Sequence, residues 1–198
     1  MWKGKEVIQV VAVNNKGYIG RDGDLMWFNK EDLQHFKKTT MWNTLVVGRK
    51  TYNSLPAGVF QGRILYQVSR TNGYTLEEAL DKAAQNCTND KIYIIGGAEI
   101  YKATADITDK VILSKIDDNQ DGDVSYALPE HLKSVSIDVR DSFTIETWTN
   151  EEVQEQTEQE EVSPVGAFFS QVGLSAMCGT IPTGTFELTV DSDEQKGE

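Results

Sequence analysis

Asp32 is the acidic residue whose surroundings best suit chemistry in this 198-residue chain. It stands beside Leu33 and Phe36 at helical spacing, and apolar neighbours that desolvate a carboxylate raise its pKa. The same position has a structural interpretation, because an aspartate in the first turn of a helix stabilises the helix dipole. That placement is common, so Asp32 taken alone favours the structural role.

Two strand-to-helix junctions have the residues of a phosphate site. Gly96-Gly97 follows the run KIYII directly, and Gly48, Arg49 and Thr51 follow the run TLVV. Glycine lets the backbone approach a pyrophosphate, and free N–H groups at a helix start favour an anion. A glycine pair alone is equally consistent with a tight turn. Two such junctions in one sheet predict a dinucleotide site, but without the GxGxxG fingerprint of a Rossmann domain.

Several other kinds of site are disfavoured. Cys87 and Cys178 lie far apart without CxxC spacing, and His35 and His131 lack ligand or triad spacing, so we expect no disulfide and no metal. The formal charge of -12 argues against nucleic acid as a partner. The chain has no apolar run of membrane-spanning length and no signal-peptide core, which predicts no membrane association and a cytoplasmic location.

The elements that must position these residues alternate between strand and helix. Short apolar runs predict strands at 7–13, 44–48, 64–69, 91–95 and 110–116, and helical patterns lie between them at 30–40, 49–55, 76–86 and 97–105. This order predicts a mostly parallel α/β sheet. Residues 135–139 and 143–148 alternate apolar and polar side chains, which predicts an antiparallel hairpin at its end.

The composition changes after Asn150. Residues 151–198 hold eleven acidic residues and one lysine, which accounts for -10 of the net charge. The highly charged 151–162 segment predicts a linker, and the more apolar 163–198 an appendage of unknown role with a possible unknown partner. Two interpretations stay open: either 143–149 is the last strand of the sheet, or 185–190 is. The first is favoured, because VRDS gives a short hairpin connection.

Six motifs occur in the order and at the spacings of dihydrofolate reductases: AVNNKGYIGRDGDLMW, EDLQHFKKTT, VVGRKTYNSLP, GR before a strand ending VSR, YIIGGAEIY and GDVSY. Between about residues 6 and 150 the chain therefore resembles this family. The resemblance implies a three-layer α/β fold with about eight strands and about four helices in a dihydrofolate reductase domain at 1–150. It also implies NADPH-dependent reduction of 7,8-dihydrofolate to 5,6,7,8-tetrahydrofolate for thymidylate and one-carbon metabolism.

The resemblance implies roles for residues on the substrate side. Asp32 would bind the 2-amino group and N3 of the pterin, with Ser114, where threonine is usual, hydrogen-bonded behind it. Arg63 would hold the α-carboxylate of the glutamate tail through a bidentate pair. Trp27 would orient a water near the substrate, which completes a catalytic set of Asp32, Trp27, Ser114 and Tyr101. The pocket wall would comprise Val10, Leu33, Phe36, Leu55 and Ile95.

The resemblance also places NADPH along the strand-to-helix junctions. Backbone groups of Ala12 and Ile19 would bind the carboxamide, and Tyr101 would lie near the nicotinamide ring. Gly96-Gly97 would form the family's cis peptide close to the pyrophosphate. Arg49 and Arg70 favour NADPH over NADH, because they can pair with a 2′-phosphate. The expected cofactor set is completed by Gly20, Gly48, Lys50, Thr51, Ser69 and Ala98.

Residues 20–28 match the loop that closes over the nicotinamide in this family, so its motion could limit turnover. Three departures bear on loop rigidity: Met26 replaces the usual proline before Trp27, Gln61 stands where a proline or small apolar residue is common, and Tyr126-Ala127 replaces Phe-Pro.

Two other functions are consistent with the fold. One is a binding or structural protein that docks through its tail. The other is a reductase of a pyrimidine intermediate in flavin synthesis, which would need neither Asp32 nor Arg63. The presence of both residues, with Ser114 and the glycine pair, favours the folate enzyme, and antifolates such as methotrexate and trimethoprim are then expected inhibitors.

Overall fold

Nine strands and four helices make up the computed structural model, which describes residues 1–150. The strands are β1 (Glu6–Asn14), β2 (Tyr18–Gly20), β3 (Thr44–Gly48), β4 (Ile64–Val68), β5 (Lys91–Ile94), β6 (Lys110–Ile116), β7 (Val124–Ser125), β8 (Lys133–Val139) and β9 (Phe143–Thr149). The helices are α1 (Lys30–Thr40), α2 (Arg49–Ser54), α3 (Leu76–Asn86) and α4 (Ala98–Thr104). Short 3₁₀ turns follow α2 and α4 at Ala57–Phe60 and Ala105–Ile107.

Seven of the strands form the central sheet, in the order β4-β3-β5-β1-β6-β9-β8. The first five in this order run parallel, whereas β9 is antiparallel to both of its neighbours. The predicted α/β class with an antiparallel C-terminal hairpin is confirmed. The remaining strands, β2 and β7, form a separate antiparallel ribbon.

Strand β1 lies at the centre of the sheet, between β5 and β6. It is covered on both faces, which explains its almost continuous apolar sequence. On one face Val7, Val11 and Val13 pack with side chains of α3 and α4, and on the other Ile8 and Val10 pack with Phe36 of α1. Helices therefore cover both faces of the sheet and make three layers.

Local capping determines where α1 and α3 start. Asn29 caps α1 and accepts hydrogen bonds from the backbone N–H groups of Glu31 and Asp32, both at 3.0 Å. Thr75 and Glu78 form a reciprocal capping box at the start of α3. Each cap follows a loop directly, so the capping residue determines where the helix begins.

The hairpin of β8 and β9 places Phe143–Thr149 within the central sheet, where it pairs with β6 along its whole length. The predicted linker at 151–162, the appendage at 163–198 and the alternative strand at 185–190 lie outside the described residues. Within 1–150, no helix is long and apolar enough to cross a membrane. The same residues hold no cluster of three or more His, Cys, Asp or Glu side chains suited to a metal ion.

Candidate active site

Asp32 lies in the first turn of α1, and Ser114 lies on β6. Burial raises the pKa of Asp32, while hydrogen bonding by the Ser114 side chain and the nearby charge of His35 lower it. Burial is the largest of the three effects, so the carboxylate is partly desolvated. The structure thus brings together the two residues that the resemblance pairs, although 82 positions separate them in the sequence.

His35 lies one helical turn after Asp32 on α1. Burial lowers its pKa, and its ring centroid is 6.1 Å from that of Phe143 on β9. Its Nε2 atom is buried, and the described part of the chain offers it no hydrogen-bond partner. His35 has no ligand or triad spacing in the sequence, and the contact with Phe143 is consistent with a packing role.

Apolar side chains of the candidate pterin pocket belong to two clusters. Val10, Ile95 and Phe36 pack together on the α1 face of the sheet. Trp27 and Ala12 pack against Ile116, Phe143 and Ile145 at the adjoining end. Leu33 and Leu55 are half-buried, and neither belongs to these two clusters.

Arg63 is held in place mainly by backbone carbonyl groups. Its Nε donates to Thr40 Oγ1 at 3.0 Å, its Nη1 donates to the carbonyls of Val59 and Gln61, and its Nη2 donates to Lys37 O at 3.3 Å. The guanidinium carbon also lies 5.7 Å from the centroid of the Phe36 ring. Four of the five N–H groups are thus engaged. A bidentate pair with a carboxylate would require one of these contacts to open.

The two glycine junctions touch each other. The Gly96–Gly97 peptide is cis, as the resemblance implies, and Gly96 O accepts a hydrogen bond from Gly48 N at 2.6 Å. A Cβ on Gly48 would lie 3.0 Å from the Ile100 side chain, and a Cβ on Gly97 would lie 2.9 Å from Thr51 Oγ1. These glycines are therefore needed for the close approach of β3, α2 and α4.

Arg49 and Ser69 meet at Thr71, which the sequence interpretation missed. Arg49 Nη1 donates to Thr71 Oγ1 at 2.6 Å, and Thr71 Oγ1 is 3.4 Å from Ser69 Oγ. Arg70 instead forms an exposed ion pair with Glu99 of α4, at 3.4 Å. The structure thus groups one of the two expected arginines with two hydroxyl groups. Thr71 sits one position after the VSR motif in a polar RTNG turn, which is a weak signal.

Tyr101 links α4 to the centre of the sheet. Its hydroxyl donates to Val10 O at 2.7 Å, and burial raises its pKa well above the ordinary value. A Cβ on Gly96 would lie 3.2 Å from the tyrosine ring, and Gly96 has a φ of 111°, a left-handed conformation that favours glycine. Tyr101, Val10 and the glycine pair are therefore immediate neighbours.

The loop between β2 and α1 is tied down at both ends. Near β2, Asp123 N donates to Gly20 O at 3.1 Å, and Asp22 N donates to Asp123 Oδ2 at 3.0 Å. Near α1, Asn29 Nδ2 donates to Ser142 Oγ at 3.1 Å. The sequence interpretation missed Asp123 and Ser142, because each is more than 100 positions from its partner.

Gly122 lies against the same loop. A Cβ there would be 2.7 Å from Gly20 O, 2.7 Å from Tyr18 Cβ and 2.8 Å from Met26 Sδ. Met26, which replaces the usual proline, thus packs beside this glycine. Ile19, expected at the cofactor, packs against the core cluster on the α3 and α4 face. The other expected cofactor residues are Lys50, which is exposed, and Ala98, which begins α4.

The sequence that forms this site is similar to known proteins. A family model described as "Dihydrofolate reductase" matches residues 6–162, twelve positions beyond Asn150. A dihydrofolate reductase of Mycoplasma genitalium is 35% identical over 129 residues, covering 59% of this chain and 80% of that protein. Dihydrofolate reductase type 9 of Escherichia coli is 34% identical over 143 residues, covering 64% of this chain and 80% of that protein.

A solved structure shares the fold. It is a dihydrofolate reductase from Enterococcus faecalis complexed with NADP(H) and RAB-propyl, with a TM-score of 0.65 and 23% identity. The alignment covers 76% of this chain and 99% of that chain. The family match spans well over half of the sequence and includes every site residue described above, so the chain belongs to the dihydrofolate reductase family.

Proposed function

We propose that this member of the dihydrofolate reductase family transfers a hydride from NADPH to C6 of 7,8-dihydrofolate and so forms 5,6,7,8-tetrahydrofolate. The observation that carries the proposal is the partly desolvated Asp32 carboxylate with Ser114 beside it. Such a carboxylate is suited to a flat heterocycle that presents two parallel N–H donors. The 2-amino group and N3 of a pterin are donors of this kind.

On the substrate side, Asp32 orients the pterin and Ser114 orients Asp32. The apolar wall of Val10, Ile95 and Phe36 excludes water from the ring face. The proton for N5 reaches the substrate through a water oriented by Trp27, so Asp32 polarises the pterin and is not itself the direct acid. Arg63 binds the α-carboxylate of the glutamate tail after one of its present contacts opens.

On the cofactor side, the residues fit NADPH. Gly48 and Gly97 let the starts of α2 and α4 approach each other closely, and free backbone N–H groups at helix starts suit a pyrophosphate. Arg49, Ser69 and Thr71 provide a guanidinium and two hydroxyl groups for the 2′-phosphate, with Arg70 nearby in sequence. When bound, NADPH supplies the hydride chemistry. Tyr101 and the backbone of Ala12 and Ile19 align its ring.

The finer assignments follow from this function. Tetrahydrofolate would serve thymidylate and one-carbon metabolism in the cytoplasm. Methotrexate and trimethoprim would compete with dihydrofolate, since each presents a diaminopyrimidine edge to Asp32. The acidic tail is proposed as an appendage that takes no part in the reaction.

The experiment is a turnover assay on the full chain. Loss of NADPH absorbance on addition of dihydrofolate is expected for the wild type and for Asp106→Asn, a matched change at an exposed aspartate outside the site. Asp32→Asn should abolish it. Inhibition by methotrexate separates this function from the pyrimidine reductase of the same fold. Absence of wild-type turnover at micromolar enzyme would overturn the proposal.

A further inference from the structure

Gln9 is a polar side chain in the middle of β1, the central strand of the sheet, and it is 0% exposed. Its Nε2 donates to Tyr101 O at 2.9 Å and to Thr104 Oγ1 at 3.0 Å, both on α4. Its Oε1 accepts from the hydroxyl of Tyr126 at 2.7 Å. A buried amide is costly unless it is hydrogen-bonded, and here both of its ends have partners.

The bridge through Gln9 connects two parts of the candidate active site. One end is α4, which carries Tyr101, and the Tyr101 and Tyr126 rings meet edge to face with centroids 5.3 Å apart. The other end is Tyr126, which directly follows β7. Tyr126 N donates to Gly17 O at 3.0 Å, next to β2, where the closing loop begins. The segment that follows the β2 and β7 ribbon is thus joined to the helix of Tyr101 in two ways, by the contact of the two tyrosine rings and by the hydrogen bonds of Gln9.

Tyr126 is one of the departures from the family pattern, which usually has phenylalanine there. Its hydroxyl is the donor that Gln9 Oε1 uses, so the two polar residues form a matched pair in the core. The Tyr126 hydroxyl is protonated at neutral pH like that of an ordinary tyrosine, and burial raises its pKa further. With phenylalanine at 126, Oε1 would lose this donor in a buried setting.

We propose that Gln9 and Tyr126 are positioning residues, whose hydrogen bond joins the closing-loop ribbon to the Tyr101 helix so that both adopt one arrangement around the nicotinamide. This inference rests on the proposed function, since it concerns the hydride step. The hydrogen bonds of Gln9 go to α4 and Tyr126, on the face of β1 opposite α1, which carries Asp32. Loss of the bridge should therefore slow hydride transfer and leave dihydrofolate binding unchanged.

The test compares two tyrosine-to-phenylalanine variants, each of which loses one hydroxyl group. Tyr126→Phe removes the bridging hydroxyl. Tyr66→Phe, on β4, removes a hydroxyl that accepts a hydrogen bond at 2.9 Å from Asn86, an exposed residue of α3. We expect Tyr126→Phe to lower kcat roughly three- to tenfold, the equivalent of one hydrogen bond. Its KM for dihydrofolate should stay within about twofold, and the isotope effect with deuterated NADPH should rise. Tyr66→Phe should match the wild type.

The double variant Gln9→Met with Tyr126→Phe separates positioning from stability. Replacing both partners by apolar groups removes the orphaned amide, so the melting temperature should recover toward the wild-type value. In the wild type, Thr104 Oγ1 already donates to Tyr101 O at 3.2 Å, so both groups should keep a partner when Gln9 is replaced. If Gln9 and Tyr126 position the loop, kcat stays low in the double variant. Recovery of kcat together with the melting temperature, or an equal loss in Tyr66→Phe, would overturn the proposal.

Hydrogen exchange of the β2 and β7 amides gives a readout that needs no turnover. Exchange should be faster in Tyr126→Phe and unchanged in Tyr66→Phe. If the wild-type protein shows no turnover, the proposed function is wrong. The exchange rates would still show whether the bridge stabilises the β2 and β7 ribbon. Unchanged exchange in Tyr126→Phe would reject the bridge alone.

Discussion

Asp32, which we propose binds the pterin, also carries a cost to folding. Its folded-state pKa is raised above the unfolded value, so the ionised carboxylate is less favourable in the folded protein than in the unfolded chain. The stability that this group contributes is complete below the unfolded pKa and is lost as the pH rises through the folded pKa. Ionised Asp32 therefore lowers the free energy of unfolding of the wild type at neutral pH.

Asp32→Asn should accordingly raise the melting temperature at pH 7 while turnover is lost. Because asparagine does not ionise, the difference from the wild type should shrink as the pH falls and wild-type Asp32 takes up a proton. Thermal unfolding followed by circular dichroism between pH 7 and pH 4 measures this. A lower melting temperature for Asp32→Asn at pH 7 would contradict the assigned desolvation.

Arg63 should be sensitive even to replacement by lysine. Lysine keeps the charge but cannot reach Thr40, Val59 and Lys37 with a rigid fork. We expect Arg63→Lys to raise the KM for dihydrofolate about tenfold or more, the effect of a charged hydrogen bond. Steady-state assays with a dihydropterin that lacks the glutamate tail provide the control. An equal increase in KM for that substrate would show that Arg63 does not bind the glutamate tail.

At the scale of elements, the contact between the closing loop and the segment before β7 depends on a missing side chain. Gly122→Ala would place a Cβ 2.7 Å from the backbone oxygen of Gly20, and backbone cannot yield as a flexible side chain can. The loop should be displaced, and kcat should fall at least about tenfold if the closed loop is needed for the hydride step. Gly58→Ala, where a Cβ meets nothing within 4 Å, is the matched control for steady-state kinetics. Equal rates for the two variants would contradict the expected displacement.

Helix α3 offers the opposite case, an element that stabilises the fold without touching the candidate site. Thr75→Ala removes the side chain that caps this helix and half of its capping box. It should lower the free energy of unfolding by about 1 kcal/mol. Urea unfolding measures this loss, and kcat and KM should not change. A change in either constant would mean that α3 affects the site.

The sequence could predict the elements and many of the residues near the site, for identifiable reasons. The apolar run of β1 and the glycines at the junctions reflect local requirements, namely burial on both faces and close backbone approach. These features depend on neighbours a few positions away.

Contacts between distant segments could not be predicted in this way. Gln9 and Tyr126 are 117 positions apart, and neither residue alone indicates the other. The engagement of Arg63 by backbone carbonyls was also hidden, because carbonyl groups are the same for every residue type. The family resemblance assigned Arg63 a carboxylate ligand, whereas its geometry shows how few of its N–H groups remain available.

At the scale of the whole molecule, the charge is divided very unevenly. Residues 1–150 carry a net charge of -2, and the remaining 48 residues carry -10. Truncation after Asn150 should retain turnover, because β9 is already paired with β6 and β8 and Asn150 N donates to Asp109 O at 3.1 Å. Activity and melting temperature of the truncated protein measure this.

A second truncation, after Val162, follows the end of the family match and serves as the comparison. Loss of activity in both proteins would contradict the proposed appendage. Loss only after Asn150 would move the boundary of the reductase domain into residues 151–162.

The central place of β1 has a consequence for synthesis on the ribosome. This strand is made before its partners β5 and β6, which begin only at Lys91 and Lys110. At typical elongation rates, Ile116 at the end of β6 is added roughly 5–20 s after the end of β1. During this interval the VIQVVAV run has neither neighbour in the sheet. Unpaired apolar segments of this kind are aggregation-prone and are what chaperones protect.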